Sequence, residues 1–148
     1  MKIEELIERA LYARDNMTYT PYSKYKVGAC VEMEDGSVYS GGNIEIASYS
    51  PTNCAERTAI FKAVSEGKRK IKRIAVVGDS FYTFPCGVCR QVIREFSKNP
   101  EIIIANTKED YKIYTLEDLL PHSFGPEDLE GEKWPLNQDM FQWLVDPM

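Results

Sequence analysis

Three cysteines and one glutamate carry the chemistry of this sequence. Cys54 and Glu56 lie in Thr52-Asn53-Cys54-Ala55-Glu56-Arg57, and Cys86 and Cys89 lie in Pro85-Cys86-Gly87-Val88-Cys89-Arg90. Cys86 and Cys89 are one helical turn apart, so their thiolates can face a single point. With Cys54 they make a set of three zinc ligands, which leaves the fourth tetrahedral position open as in catalytic rather than structural sites. One zinc ion per chain is expected. Zinc lowers the pKa of water far toward neutrality, and a carboxylate beside that water can take its proton and hand it on. Glu56 is placed to be that carboxylate.

Position depends on where the helices begin. Residues two apart do not share a helix face, so Cys54 and Glu56 converge only if a helix starts there, end-on to the metal. Asn53 reads as the N-cap of that helix, and Pro85 as the first residue of a second one. Two helix N-termini, each carrying roughly half a positive charge, would then aim at one ion. They offset part of the negative charge of three thiolates, and Arg57 is expected to offset more by donating to a thiolate sulfur.

Simpler readings compete. A Cys-x-x-Cys pair alone fits a redox centre, but such motifs do not come with a third cysteine preceding Ala-Glu. Asn53-x-x-Glu56 also matches a capping box, which the neighbouring thiols outweigh, and an exposed helix position is the ordinary place for an arginine such as Arg57. His122, the only histidine, reads as surface and not as a ligand. Cys30, in Val27-Gly28-Ala29-Cys30-Val31, reads as a small buried hydrophobe.

The remaining elements follow from periodicity. Ile3, Leu6, Ile7, Ala10 and Leu11 recur at helical spacing and predict a first helix to about Asn16. Residues 27–33 and 37–42 predict an antiparallel hairpin around Glu34-Asp35-Gly36, followed by an extended Asn43-Ile44-Glu45. A helix over 54–66 with Ile60, Phe61, Ala63 and Val64 inward is closed by Gly67. Lys68 to Arg73 reads as a solvated turn. Residues 74–78 and 102–105 are apolar runs typical of strands buried on both faces, separated by a helix from Pro85 to about Ser97, and 111–114 is a weaker strand. Strand-helix-strand passages imply a parallel portion of sheet. The expected fold is α/β, a three-layer α/β/α sandwich with a mixed five-stranded sheet.

At 148 residues the chain is expected to form one domain. A formal charge of -5 with no basic stripe argues against nucleic acid as a partner. No apolar run approaches transmembrane length, and the N-terminus has no signal-peptide core, so no membrane is expected and the cytoplasm is the expected compartment.

Much of the sequence resembles the small, free-nucleoside cytidine deaminases. The resemblance runs from about residue 3 to residue 129. It is carried by Pro21-Tyr22-Ser23-Lys24-Tyr25, Val27-Gly28-Ala29, Asn43-Ile44-Glu45, Cys54-Ala55-Glu56-Arg57-Thr58-Ala59, Pro85-Cys86-Gly87-Val88-Cys89-Arg90-Gln91-Val92 and Leu119-Leu120-Pro121. It implies the cytidine deaminase fold, zinc on Cys54, Cys86 and Cys89, and proton transfer by Glu56. It also implies substrate contacts at Asn43, Glu45, Ala47, Tyr49, Tyr25, Ala55 and Phe124. Asn43 and Glu45 would hold a ribose hydroxyl together, since residues i and i+2 of an extended segment point the same way. Phe124 would stack on the base from a neighbouring subunit, and Tyr25 stands where such proteins commonly have Phe. Ala47 and Tyr49 would meet the neighbour's ligand in a homotetramer. The implied reaction is deamination of cytidine and deoxycytidine, small nucleosides of pyrimidine salvage. A blasticidin-type antibiotic deaminase is the alternative within the chemistry, though it should lack the Asn43-x-Glu45 pair. Nucleotide and RNA-editing relatives usually have His where Cys54 stands. A structural zinc module is the alternative outside enzymes and lacks a fourth ligand. The tail over residues 130–148, with Trp134, Phe141, Trp143 and Leu144, is longer and more apolar than the resemblance leads one to expect. A packing contact is the simplest reading of it.

Overall fold

The alternation of side chains along each strand sorts the core into two layers. In the computed structural model, which describes residues 1–130, α1 (Ile3–Asn16) covers one face of a sheet and two later helices cover the other. Strand β1 (Val27–Met33) sends Ala29, Val31 and Met33 to one side and Cys30 to the other. Strands β3 (Ile71–Gly78) and β4 (Glu101–Ala105) repeat the pattern, with Ile74, Val76, Ile102 and Ile104 on the first side and Ala75, Val77, Ile103 and Ala105 on the second. Successive residues of a strand face opposite ways, so these runs stay apolar because both faces are covered.

The sheet is mixed and has five strands in the order β2-β1-β3-β4-β5, with β2 at Val38–Gly42 and β5 at Tyr111–Tyr114. Only β3 and β4 pair in parallel; the other neighbours are antiparallel. Helices α2 (Ala55–Ser65) and α3 (Gly87–Glu95) lie opposite α1, so the three-layer α/β/α sandwich is the observed architecture. Gly28 lets α1 approach closely, because a Cβ there would fall 2.0 Å from the Ala10 carbonyl oxygen. Two short helices, α4 (Leu116–Leu119) and α5 (Pro126–Glu130), come after β5. Among the described residues no helix is long and apolar enough to cross a membrane.

Two local expectations need correction. The Lys68 to Arg73 segment is not all solvated turn, since β3 begins at Ile71 and Arg73 is buried. Its charge is met across the strands by Glu32, with Nε donating to Oε1 at 2.8 Å, which is how a buried guanidinium is tolerated. Phe61 does not face the core. Small residues, Ala55, Ala59 and Ala63, form the inner stripe of α2 with Ile60 and leave Phe61 44% exposed. The segment after β5 carries the short helices α4 and α5, which were not among the elements expected from the sequence. Cys30 is fully buried, and burial pushes its thiol up to about 11. His122 is exposed, with a φ of 53°. Trp134, Phe141, Trp143 and Leu144 lie outside the described residues.

Candidate active site

Two chain segments enter the same corner of the molecule by the same device. Cys54 is the N-cap of α2, extended at φ -71° and ψ 155°, and Cys86 is the N-cap of α3, extended at φ -67° and ψ 169°. Each places a sulfur at the start of a helix, where the first N–H groups receive no side-chain cap and the helix end is positive. The α2 cap therefore sits one residue later than the sequence suggested, and α3 begins two residues later. Asn53 cannot enter α2 because its N–H and carbonyl are both paired with Ile44, at 2.9 Å each way. Its side chain donates to the Thr58 hydroxyl instead. Pro85 likewise precedes the cap rather than opening α3. With Asn53 out of the cap position, the capping box it would form with Glu56 does not exist.

One turn into α3, Cys89 is fully buried and faces the other two thiols. The three sulfurs lie within 4.8 Å of one another, the only such cluster of potential ligands among the described residues. Cys54 and Cys86 have their sulfurs 3.7 Å apart. A tetrahedron with zinc–sulfur bonds of about 2.3 Å has edges of about 3.8 Å, so the donor set fits zinc in type and spacing. The sulfurs also share charge. Hydrogen bonds from Cys89 and Arg57, against the opposing effect of burial, bring the Cys54 thiol down to about 5, while the bond to Cys54 and burial push the Cys89 thiol up. Arg57 donates from one terminal nitrogen to the Cys54 sulfur at 3.3 Å, and its buried Nε has no partner among the described residues.

Glu56, at the second helical position of α2, is 4% exposed. Burial, reinforced by the nearby Cys54 thiolate, raises its carboxyl to about 7. A carboxyl so tuned can both accept and release a proton near neutrality.

These features agree with the comparisons to known proteins. The model of the cytidine and deoxycytidylate deaminase zinc-binding region matches residues 1–106. A cytidine deaminase from Sporosarcina psychrophila is 50% identical over 131 residues, 87% of this chain and 96% of that protein. One from Halalkalibacterium halodurans is 47% identical over 131 residues, 87% of this chain and 98% of its own length. The chain belongs to the zinc-binding cytidine and deoxycytidylate deaminase family. The crystal structure of cytidine deaminase from Burkholderia pseudomallei superposes with a TM-score of 0.79 at 44% identity, covering 84% of this chain and 100% of that one. As a member of this family the chain is an enzyme of C–N bond hydrolysis that binds zinc.

Around the deaminase centre the other expected site residues fall into two groups. Asn43 and Glu45 are held by the connector between α1 and β1. The Asn43 side-chain oxygen accepts from the Val27 N–H and its nitrogen donates to the Tyr25 carbonyl, both at 2.9 Å. Glu45 accepts from the N–H groups of Tyr22 and Ser23, at 3.0 and 3.1 Å, and from the Ser23 hydroxyl. The Ser23 hydroxyl bond, helped by the two N–H donors against the cost of burial, holds its carboxyl below the usual range. Glu45 and Tyr49 line one hollow of about 380 Å³ with Tyr22, Ser23 and Thr52. Tyr25 points its hydroxyl at the Thr83 hydroxyl, 2.7 Å away, and at Ser80, which also donates its N–H at 3.2 Å. Ala55 is buried at the start of α2. The second group is exposed: Ala47, Tyr49 at 72% and Phe124 at 59%.

Sequence reasoning left Arg90 and Gln91 without roles. In this deaminase they clamp the segment after β5 onto α3. Arg90 donates to the carbonyls of Pro85 and Leu119, at 2.8 and 2.6 Å, and Gln91 donates to the Phe124 carbonyl at 2.6 Å. Arg94 adds bonds to the Ser123 hydroxyl and the Glu127 carboxylate. The recurrence of Arg90, Gln91 and Arg94 on adjoining helical positions was the available signal.

Proposed function

We propose that this enzyme hydrolyses cytidine and deoxycytidine to uridine and deoxyuridine with release of ammonia. The observation that carries the proposal is a buried, proton-poised Glu56 beside three sulfurs gathered at two helix starts. Zinc, when bound by Cys54, Cys86 and Cys89, supplies hydroxide at neutral pH. Glu56 would take one proton of the water that adds its oxygen to C4 and deliver it to ring N3, then carry the second proton from the new C4 hydroxyl to the amine, which leaves as ammonia when the C4–N bond breaks. Arg57 and the two helix starts keep the thiolate cluster from becoming too negative for this task.

Asn43 and Glu45 are proposed to grip a ribose hydroxyl with the hydrogen-bonding capacity the connector leaves free. A second N–H remains on the Asn43 amide, and further lone pairs remain on Glu45. The carboxylate would repel a phosphate, so nucleotides are excluded. Ala55 contributes to the pocket floor. Tyr25, Ala47, Tyr49 and Phe124 are proposed base and interface contacts in a homotetramer whose sites are shared between subunits, with Phe124 entering from the partner. Cysteines used as metal ligands rather than in disulfides would suit a cytoplasmic enzyme. The test monitors the loss of cytosine absorbance with purified protein. Turnover of both nucleosides is expected, with free cytosine slower by about 10⁴-fold or more and CMP inert. Comparable rates on cytosine or CMP would overturn the assignment.

A further inference from the structure

One sizeable hollow of the described residues lies away from the sulfur cluster. It is a groove of about 870 Å³ along β5, the outer strand of the sheet, lined among others by Ile113, Tyr114, Leu120, Lys98, His122 and Glu127. Ile113 is 46% exposed, and among the described residues β5 has a strand neighbour on one side only. An outer strand that presents apolar side chains is ordinarily covered, since otherwise it invites pairing with foreign chains. No ligand of the sulfur cluster lines this groove, so the reaction does not account for it.

We propose that the groove is the docking surface for the chain's own C-terminal segment, residues 131–148. Three observations point to that occupant. The last described helix, α5, ends at Glu130, and its Glu127 is already part of the groove wall. Trp134 comes four residues later, a reach of at most about 14 Å, so the segment begins within range. Its composition suits an apolar trough: Trp134, Leu136, Met140, Phe141, Trp143 and Leu144 fall within eleven positions, and burying such side chains is favourable. The segment is also an addition to the fold shared with relatives. The Burkholderia deaminase is covered over 100% of its length while 84% of this chain is used, and the resemblance read from the sequence ends near residue 129.

The placement has a consequence for the deaminase site. The groove is walled by Arg94, Leu120 and Ser123, the same stretch that Arg90, Gln91 and Arg94 tie to α3 and that carries Phe124. A tail seated there would press the 120–125 loop against α3 and steady Phe124. A second copy of this chain is the competing occupant.

The test uses the full-length, zinc-loaded protein and the fact that both of its tryptophans, Trp134 and Trp143, lie in the tail. Intrinsic tryptophan emission and iodide quenching are measured for the parent, for Ile113→Lys in the groove and for Phe61→Lys, a comparably exposed apolar site on α2. Sedimentation accompanies each. The proposal expects blue-shifted, poorly quenched emission in the parent. Ile113→Lys should give a red shift and several-fold stronger quenching at unchanged assembly mass, and Phe61→Lys should give neither. Solvent-like emission in the parent, or no response to Ile113→Lys, overturns it. A response that comes only with a loss of assembly mass assigns the groove to a second copy and overturns it as well. Retained far-ultraviolet circular dichroism separates release of the tail from unfolding.

Discussion

The sulfur corner and the pocket rim are built by different means. The corner is made of regular structure. Cys54, Glu56, Cys86 and Cys89 sit at or just inside the starts of two helices that pack on the sheet, and Glu56 and Cys89 are almost wholly buried. The rim is made of loops. Tyr49 and Phe124 are more than half exposed, and Tyr49 sits at a φ of 48°. The difference fits the proposal that one chain holds the groups of the chemistry while its exposed aromatic residues are completed by a partner. Rigid elements hold the groups that must be placed to fractions of an ångström, while loops leave aromatic surface for an added partner.

The contrast predicts effects of graded size. The largest belong to the corner. Replacing Cys86 with Ala should remove zinc and activity together, as metal analysis beside the absorbance assay would show. Glu56→Ala should cost at least about 10²–10⁴-fold in kcat, the usual scale for a general acid–base group, while zinc stays near one per chain. An active Glu56→Ala enzyme would dissolve the distinction between corner and rim.

Rim substitutions should be milder and should spare the metal. Stacking on one base is worth about 1–3 kcal/mol. Phe124→Ala should therefore lower kcat/KM by about 5- to 150-fold with no release of zinc. Loss of zinc in that variant would mean that the rim supports the corner structurally.

Glu45 lies between the two regions, and its behaviour with pH should show it. Its carboxyl is held below the ordinary glutamate value, first by the Ser23 hydroxyl. The charged form is thus favoured in the folded protein, and the proposed grip on the substrate should be retained at neutral pH. It should be lost only as pH falls through that lowered folded-state value, below the ordinary glutamate range. KM for cytidine should stay flat through mildly acidic pH, wherever the enzyme remains folded. A KM that climbs as pH is lowered from neutrality into the mildly acidic range would place another group in the grip.

The smallest effect is expected at Tyr25. Its hydroxyl is occupied by Ser80 and Thr83, so Tyr25→Phe should lower stability by about 1 kcal/mol, read as denaturant midpoint, and leave KM nearly unchanged. A large rise in KM would move the Tyr25 hydroxyl into the pocket.

The corner was legible in the sequence because its signals are covalent spacings: Cys-x-Glu and Cys-x-x-Cys report helix starts and one helical turn. The sheet was legible because strands buried on both faces read as apolar runs, as in 74–78 and 102–105. The caps themselves were not. Asn53 has good capping chemistry, but its backbone is taken by Ile44, a pairing across a loop that no local propensity reveals. Phe61 misled for a related reason. Helical periodicity marks an apolar side, but the alanines of α2 decide which part of that side touches the sheet. Buried Arg73 was hidden because its partner Glu32 lies on another strand. Clamps such as Gln91 to Phe124 were beyond reach, since they join segments 33 residues apart through backbone oxygens.

The claim that chemistry belongs to one chain and recognition to two has a direct test. Glu56→Ala and Phe124→Ala chains, each weakly active or inactive alone, are mixed, dissociated and allowed to reassociate, and hybrid formation is verified by mass. Hybrids then contain some sites with Glu56 from one chain and Phe124 from another, so activity should rise clearly above that of either parent. Verified hybrids with no recovery would mean that each chain completes its own pocket, and the division between corner and rim would fail.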